Sequence, residues 1–578
     1  MKRTKRNPIS LRISILGVFF SIWLLVIGTK AVYLQVFRGD WLSKKASDQY
    51  ESSVQSEGKR GVIYDCNHRE MAVSIDATSI GAYPAKVTNA NRTSAILAKA
   101  LQIDRKMLFK KLSLNRSFVW VERQVTPKER EAVSECRLGG IDFRTEHKRF
   151  YPSRTLAAQV LGFTGIDGNG LEGLEYRYNQ DLIGRAQSLT IFKDALGRGF
   201  ASEEQSAAVA NGHNLILTID RTVQFLAEQA LKETVAAFSA KSAMAVVMDP
   251  RSGAVLAMAH YPFFNPNTYS EFDRWQWRNR AITDPFEPGS TLKIFTAAAA
   301  IEKGDVSPNS IFYCENGSYR VGGHTIHDTH KNGWLSLQQI VKVSSNIGAA
   351  KVLEKIGPEA LYTTLRAFGF GEPTGIDCPG ETAGALAPYR QWRGVDAATI
   401  SFGQGVSVSA IQLAAAVNAI ANGGVLMRPY VVQAVTDASG KEIRQYEPQV
   451  VRRAVSAGTA RTITGIMETV TTEGGTGENV GLDGYAVAGK TGTAQKTDDN
   501  GVYARGKYVA SFVGFVPADD PRATIVVIVD EPEKEHYGGL VAGPAFKKIA
   551  EGLLQYLNVT PVNSVNQLIV SKGHDVQG

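Results

Sequence analysis

The chain has 578 residues, 44% hydrophobic and 21% charged, with a net charge of +8. That length exceeds one ordinary core, so two to four domains are predicted, and the composition is that of a globular protein. Lys2, Arg3, Lys5, Arg6 and Arg12 open the chain without an acid. Subtracting these five from +8 leaves +3 for everything after residue 12, too balanced a body for a nucleic-acid binder.

An uncharged run, ISILGVFFSIWLLVIG (13–28), follows the basic arm. As a helix it spans roughly 24 Å, and AVYLQVF (31–37) extends the apolar character past Lys30, which can snorkel. No small-x-small cleavage site follows, so an uncleaved membrane anchor is predicted over 13–37, with a cytoplasmic tail at 1–12. The excess of cations before the run places the N-terminus in the cytoplasm and the bulk of the protein on the outer, periplasmic side.

From 38 to 220 the pattern is mixed and rich in loops. GVIYD and SIGAYPAKV read as strands, and ANRTSAILAKAL (90–101) as a helix. Glycines cluster in GFTGIDGNGLEG (162–173). No catalytic constellation is visible here, and the region reads as a pedestal with surfaces for partners. NLILTID (214–220) is a predicted strand ending at a helix cap, Asp220. Val223, Leu226, Ala230, Val235 and Phe238 then recur near helical spacing. Two apolar runs around Pro250-Arg251-Ser252-Gly253 predict a hairpin. YVASFVGFVP and ATIVVIVDEP predict two more strands, and GPAFKKIAEGLLQYL a closing helix. A sheet flanked by helices, interrupted by a long and mostly helical insert, is the predicted fold of 221–558. A loose tail is expected at 559–578.

Cys66, Cys136, Cys314 and Cys378 are scattered and expected to be free. The nine histidines show no ligand spacing, so neither a metal nor a cofactor is predicted.

Three short motifs carry chemistry. Ser290 and Lys293, in EPGSTLKIF, lie three apart at a predicted helix start and share one face. The helix N-terminus favours developing negative charge at the serine, and a lysine of lowered pKa one turn on can take its proton. Alone the pattern is weak: Ser56-Glu57-Gly58-Lys59 also fits, in what reads as a loop, and is taken as chance. Ser344-Ser345-Asn346 interrupts a helical pattern, and a short break between helices can aim polar groups into a cleft. Lys490-Thr491-Gly492 occurs once. It lies in GYAVAGKTGTAQ (484–495), which also fits the phosphate-binding loop G-x-x-x-x-G-K-[ST]. That loop needs an apolar strand before it and a helix after it. Here the flanks are polar and non-helical, so the segment is read as a strand with Lys490 near its middle, and no nucleotide is predicted.

The order S-x-x-K, S-x-N, K-T-G is that of the penicillin-interacting serine enzymes. With NRAITDPFEPGSTLKIF (279–295), SFGQGVSVSAIQLAAAVNAIANGG (401–424), AVAGKTGTAQK (486–496) and RFYPSRTLAAQVLGFTGIDGNGLEGLE (149–175), the chain resembles the class B penicillin-binding proteins, most closely the septal peptidoglycan D,D-transpeptidases. RGVIYDCNHRE (60–70) departs from their usual R-G-x-I-x-D-R-N-G, a difference expected to bear on folding or partners.

The resemblance implies an α/β, β-lactamase-like transpeptidase domain with an antiparallel sheet, preceded by a mixed α+β pedestal of the dimerisation type and one transmembrane helix. It implies Ser290 as the nucleophile on a D-Ala-D-Ala stem pentapeptide, Lys293 as its base, and Ser344 as a proton relay. Asn346 would hold substrate and Lys293, and Lys490 would supply positive charge. Thr491 and Thr493 would bind the terminal carboxylate, Gly492 would allow close approach of the strand, and the amides of Ser290 and Thr493 would form an oxyanion hole. β-Lactams are implied as mimics that acylate Ser290, and an FtsW-like glycan polymerase with other division proteins as membrane partners. An elongation-type transpeptidase, a D,D-carboxypeptidase or β-lactamase, and a β-lactam-binding division scaffold remain alternatives.

Overall fold

The computed structural model describes residues 8–184, 186–193, 199–200, 211–497 and 502–561. The start of the basic arm and the tail from 562 onward lie outside the described residues. Residue contacts divide the chain into two units, one of residues 1–59 with 184–211, the other of 60–183 with 212–578.

In the first unit α1 (Pro8–Val32) runs into one π-helical turn, Tyr33–Phe37. Leu11–Phe37 is long and apolar enough to cross a membrane, with none of it buried against protein. Next come α2 (Gly39–Tyr50) and β1 (Glu51–Glu57), and later in the chain β6 (Ala186–Lys193). β1 and β6 pair antiparallel from Glu51↔Phe192 to Glu57↔Ala186. The decoy serine Ser56 therefore sits in a strand, not in the loop expected of it.

The second unit holds the rest. Its pedestal part contains β2 (Ile63–Tyr64), β3 (Glu70–Ala82), α3 (Ala90–Leu101), β4 (Val119–Val125) and β5 (Ile141–Phe150). Of the two strands predicted here, only Ile63–Tyr64 of the first pairs. The second ends at Ala82, because Pro84 fixes its φ and opens a 3-10 turn, Pro84–Lys86. α3 is capped by Asn89, whose side chain accepts from the amide of Arg92. β7 (Asn214–Leu217) pairs in parallel with β2 and antiparallel with β12 (Val432–Thr436), joining the pedestal strands and the later chain in one sheet.

The segments quoted from 60–70 and 149–175 converge on one buried cluster. Arg60 Nε and Arg149 Nε each lie 2.6 Å from a different oxygen of Glu175, which is fully buried. Arg60 also donates to Asn179 Oδ1 at 2.7 Å, and Arg149 to the carbonyl of Gly61 at 2.7 Å. Burial works to raise the Glu175 carboxyl, but Arg149 and Arg60 outweigh it and hold the group below its ordinary range. In the departing stretch, Asn67 Nδ2 lies 2.9 Å from Asp220, the cap of the next helix. Cys66, one of the departing residues, has its Sγ 3.6 Å from the same carboxylate.

That helix is α4 (Arg221–Phe238). Asp220 accepts from the amides of Thr222 and Val223. The hairpin β8 (Ser242–Met248) and β9 (Val255–Tyr261) follows, and the chain later returns with β13 (Ala488–Thr497), β14 (Tyr503–Val516) and β15 (Ala523–Asp530). The sheet order is β9-β8-β15-β14-β13, antiparallel throughout, with β13 at its end. Alternation sends Ala245 and Val247 to one face, against α4 and the closing helix Gly543–Tyr556, and Met244 and Val246 to the other. The opposite face is covered by α8 (Ala410–Ala421) and the helix Ala457–Val470; α5 (Lys293–Glu302) packs on the latter and α7 (Asn346–Ile356) on α5, all with apolar sides buried. This is the antiparallel sheet between helices that the sequence predicts.

Candidate active site

Three chain segments meet at one end of α5. A short 3-10 turn, Gly289–Leu292, carries Ser290 and leads directly into α5, whose first residue is Lys293. Lys293 Nζ lies 2.9 Å from Ser290 Oγ, so the i, i+3 spacing does place hydroxyl and amine within hydrogen-bond reach. Gly289 is wedged in place. Its φ is +54°, and a Cβ there would meet the carbonyl of Thr493 at 2.8 Å. Its amide donates to the carbonyl of Gly403 at 3.0 Å.

The second segment is the break between α6 (Leu337–Lys342) and α7. Ser344 occupies it in the left-handed region, with φ +62°, a strained state for a residue with a Cβ. The twist aims both of its oxygens at the lysine: Lys293 Nζ is 2.6 Å from Ser344 O and 3.2 Å from Ser344 Oγ. Asn346 Oδ1 accepts from Lys293 Nζ at 2.7 Å. Ser345 turns the other way and caps α7 through the amide of Gly348.

The third segment is β13. It begins at Ala488, so Lys490 is its third residue and not near its middle; Gly484, at φ +81°, turns the preceding residues out of the strand. Lys490 Nζ contacts Ser344 Oγ at 3.0 Å, Thr491 O at 2.9 Å and Thr491 Oγ1 at 3.2 Å. The Thr491 hydroxyl is buried and also lies 2.8 Å from Thr476 Oγ1, while Thr493 Oγ1 accepts from the amide of Gly538 at 3.1 Å. A Cβ on Gly492 would come within 2.3 Å of Ser511 Oγ and 2.8 Å of Thr291 Cγ2. The glycine therefore lets the strand press against the turn that carries Ser290.

All eight residues singled out from sequence thus belong to one cluster, with Ser344 Oγ bridging the two lysines. Both lysines are buried: Lys293 is 1% exposed and Lys490 0%. Burial pushes the Lys293 ammonium from its ordinary 10.5 down to about 7, against a smaller upward pull from Asp328. Burial, and then the charge on Lys293, push Lys490 well down. The pair resists carrying two protons at once. A neutral Lys293 also fits its contacts. Its two N–H bonds can go to Ser344 O and Asn346 Oδ1, leaving the lone pair for the Ser290 hydroxyl.

Two contributors have no motif. Asp328 follows the hairpin of β10 (Ser318–Val321) and β11 (His324–His327). Its carboxylate accepts from Ser345 Oγ at 2.5 Å, from Asn346 N at 2.6 Å and from Ile347 N at 3.0 Å, fixing the start of α7 and with it the S-x-N triplet. Thr476 orders Thr491. The only sequence signal for Asp328 is an acid after a polar hairpin, which is too common to single it out.

Known proteins match this architecture along its length. Residues 55–217 match the penicillin-binding protein dimerisation domain, and residues 243–551 the penicillin binding protein transpeptidase domain. The chain is 34% identical to the peptidoglycan D,D-transpeptidase FtsI of Escherichia coli K12, covering 99% of this chain and 97% of that one. It is also 34% identical to a probable peptidoglycan D,D-transpeptidase, PenA, of Neisseria gonorrhoeae, over 97% and 95% of the two chains. Among solved structures, penicillin binding protein 3 of Mycobacterium tuberculosis complexed with aztreonam superposes with a TM-score of 0.69 at 30% identity, over 88% of this chain and 99% of that one. Matched in both domains and 34% identical to FtsI over nearly its whole length, the chain belongs to the penicillin-binding protein family, among the peptidoglycan D,D-transpeptidases of FtsI type.

Proposed function

We propose that the chain is a membrane-anchored serine D,D-transpeptidase that crosslinks peptidoglycan stem peptides at the division septum. The observation that carries this reading is the 2.9 Å contact between Ser290 Oγ and a buried lysine whose pKa lies at about 7. Ser290 Oγ attacks the carbonyl carbon of the penultimate D-alanine as its proton passes to Lys293 Nζ. The oxyanion is met by the amides of Ser290 and Thr493. The terminal carboxylate lies against the hydroxyls of Thr491 and Thr493, and its negative charge favours a proton on Lys490, leaving Lys293 as the base. Asn346 holds Lys293 and the substrate backbone. As the C–N bond breaks, Ser344 Oγ relays a proton to the departing D-alanine nitrogen. An acceptor amine from a second stem then attacks the acyl-enzyme, returns Ser290 and leaves a new amide. β-Lactams take the place of the D-Ala-D-Ala end and remain bound as acyl-serine.

The pedestal is assigned to 38–220 and the transpeptidase domain to 221–558. The basic arm sits in the cytoplasm with the catalytic domain on the periplasmic side, where an FtsW-like polymerase supplies glycan strands. Labelling of the purified protein by a fluorescent penicillin tests the chemistry. Wild type is expected to form a stable adduct and Ser290→Ala none, and equal labelling of the two would refute the nucleophile.

A further inference from the structure

Glu287 lies three residues before Ser290 in a segment that runs beside the chain at 403–408. Phe286 exchanges backbone hydrogen bonds with Val408, and the Gly289 amide donates to Gly403 O. A Cβ on Gly403 would lie 2.0 Å from the Gly289 carbonyl, so the two backbones touch. Between these two backbone links sits one made by a side chain: Glu287 Oε1 accepts from the amide of Gly405 at 2.8 Å. The same carboxylate reaches a third element. Tyr503 Oη donates to Glu287 Oε2 at 3.1 Å, and Tyr503 begins β14 opposite Thr497, the last residue of β13. One carboxylate therefore joins the nucleophile's segment, the 403–405 segment and the far end of the β13–β14 pair. Lys490, Gly492 and Thr493 stand on that same β13.

Ser290 and Thr493 are 203 positions apart in sequence, yet both must line one oxyanion position. The Gly289–Thr493 and Gly492–Thr291 approaches set their spacing within the first six residues of β13. The Glu287–Tyr503 link adds a tie at the far end of the strand, opposite Thr497, so that β13 is held at both ends. Both oxygens of Glu287 are held by neutral donors, which suits a geometric tie better than a charge pair. We propose that Glu287 is a positioning residue of the acylation reaction: through Gly405 and Tyr503 it fixes β13 against the turn that carries Ser290. This rests on the reading of Ser290 as nucleophile.

The test is stopped-flow acylation of the full-length protein by a fluorescent penicillin, separating the dissociation constant of the initial complex from the first-order acylation rate. Glu287→Ala is expected to lower the acylation rate about 100-fold, the scale of a misplacement of about 1 Å. Glu287→Gln, which keeps an acceptor for Gly405, recovers part of that loss, and Tyr503→Phe, which removes one tie, loses less than Glu287→Ala. The dissociation constant and the melting temperature stay near wild type in all three. An acylation rate within about twofold of wild type in Glu287→Ala overturns the proposal. So does a parallel fall of rate, affinity and melting temperature that Glu287→Gln does not relieve, because that is the signature of general loss of structure. Ser290→Ala tests the underlying reading separately: labelling that survives there removes both, while an inert Glu287→Ala removes only the tie.

Discussion

Two buried clusters in the protein treat charge oppositely. In the pedestal, two arginines enclose Glu175, each bonded to a separate carboxylate oxygen at 2.6 Å. In the catalytic cluster two lysines share the oxygen of Ser344, and their other hydrogen-bond partners are neutral. The first arrangement compensates each desolvated ion with an opposite one, and Glu175 stays ionised. The second leaves like charges together, and Lys293 is driven towards neutrality. Burying an ion is tolerable when it is paired. Burying an ion that is not paired converts desolvation into a basic amine near neutral pH, which a serine nucleophile needs. The pedestal cluster is built to hold the chain together, the catalytic one to hold a proton loosely.

That contrast breaks if either cluster does the other's work. The largest effect is expected from Lys293→Met, which keeps side-chain volume and removes the amine. Penicillin acylation should fall by about 10²–10⁴-fold, the usual worth of a general base. Thermal stability should hold or rise, since a desolvated amine is replaced by an apolar group. Glu175→Gln should do the reverse. It leaves two buried guanidinium groups without a counter-ion, at a cost of about 3–5 kcal/mol in urea unfolding. The acylation rate of the molecules that remain folded should be unchanged. A Glu175→Gln protein that folds as stably as wild type would show that the pedestal cluster is not structural.

The smallest effects concern pH. Acylation by wild type should rise as pH rises through about 7 if Lys293 is the base proposed above, since a base must be neutral to take the proton. Asp328 pulls that pKa upward, so Asp328→Asn should move the midpoint of the rate profile downward. Asn keeps an acceptor for the amides of Asn346 and Ile347 but loses the one that Ser345 Oγ donates to, at a cost of about 1–3 kcal/mol. A midpoint that moves upward instead would mean that Asp328 acts on Lys293 through geometry and not through its charge.

The legible parts of this molecule are those in which spacing along the chain equals spacing in the fold. Ser290 and Lys293 could be paired from sequence because three residues of helix separate them. Asp220 could be read as a cap because it abuts the periodic run of α4. The strands β8, β9, β14 and β15 announce themselves by apolar runs and the turns between them. Their order could be expected only as an antiparallel sheet, because a strand's own residues do not name its neighbour. The parallel pairing of β2 with β7, and the meeting of Arg60 with Glu175 across 115 positions, left no local trace. Asp328 was hidden for the same reason: it reaches Ser345 and Asn346 by way of a hairpin, and an acid in a polar loop looks like any solvated one. The strand bearing Lys490 starts later than its alternation suggests, because Gly484 turns the chain before Ala488.

Ser344 carries one more implication, for how such a protein can change over time. Its backbone sits at φ +62°, where glycine is at ease and serine is not. Relief of the kind that glycine brings is on the order of 1–3 kcal/mol, and it would come with loss of the hydroxyl that touches both lysines. Random change that favours a sturdier fold and selection that favours a working one therefore disagree at this residue. The position is an adaptive dead end: the substitution most welcome to the backbone is among the least welcome to the chemistry. Variation that retunes the enzyme while keeping it active has to enter through the residues around Ser344, not through Ser344 itself.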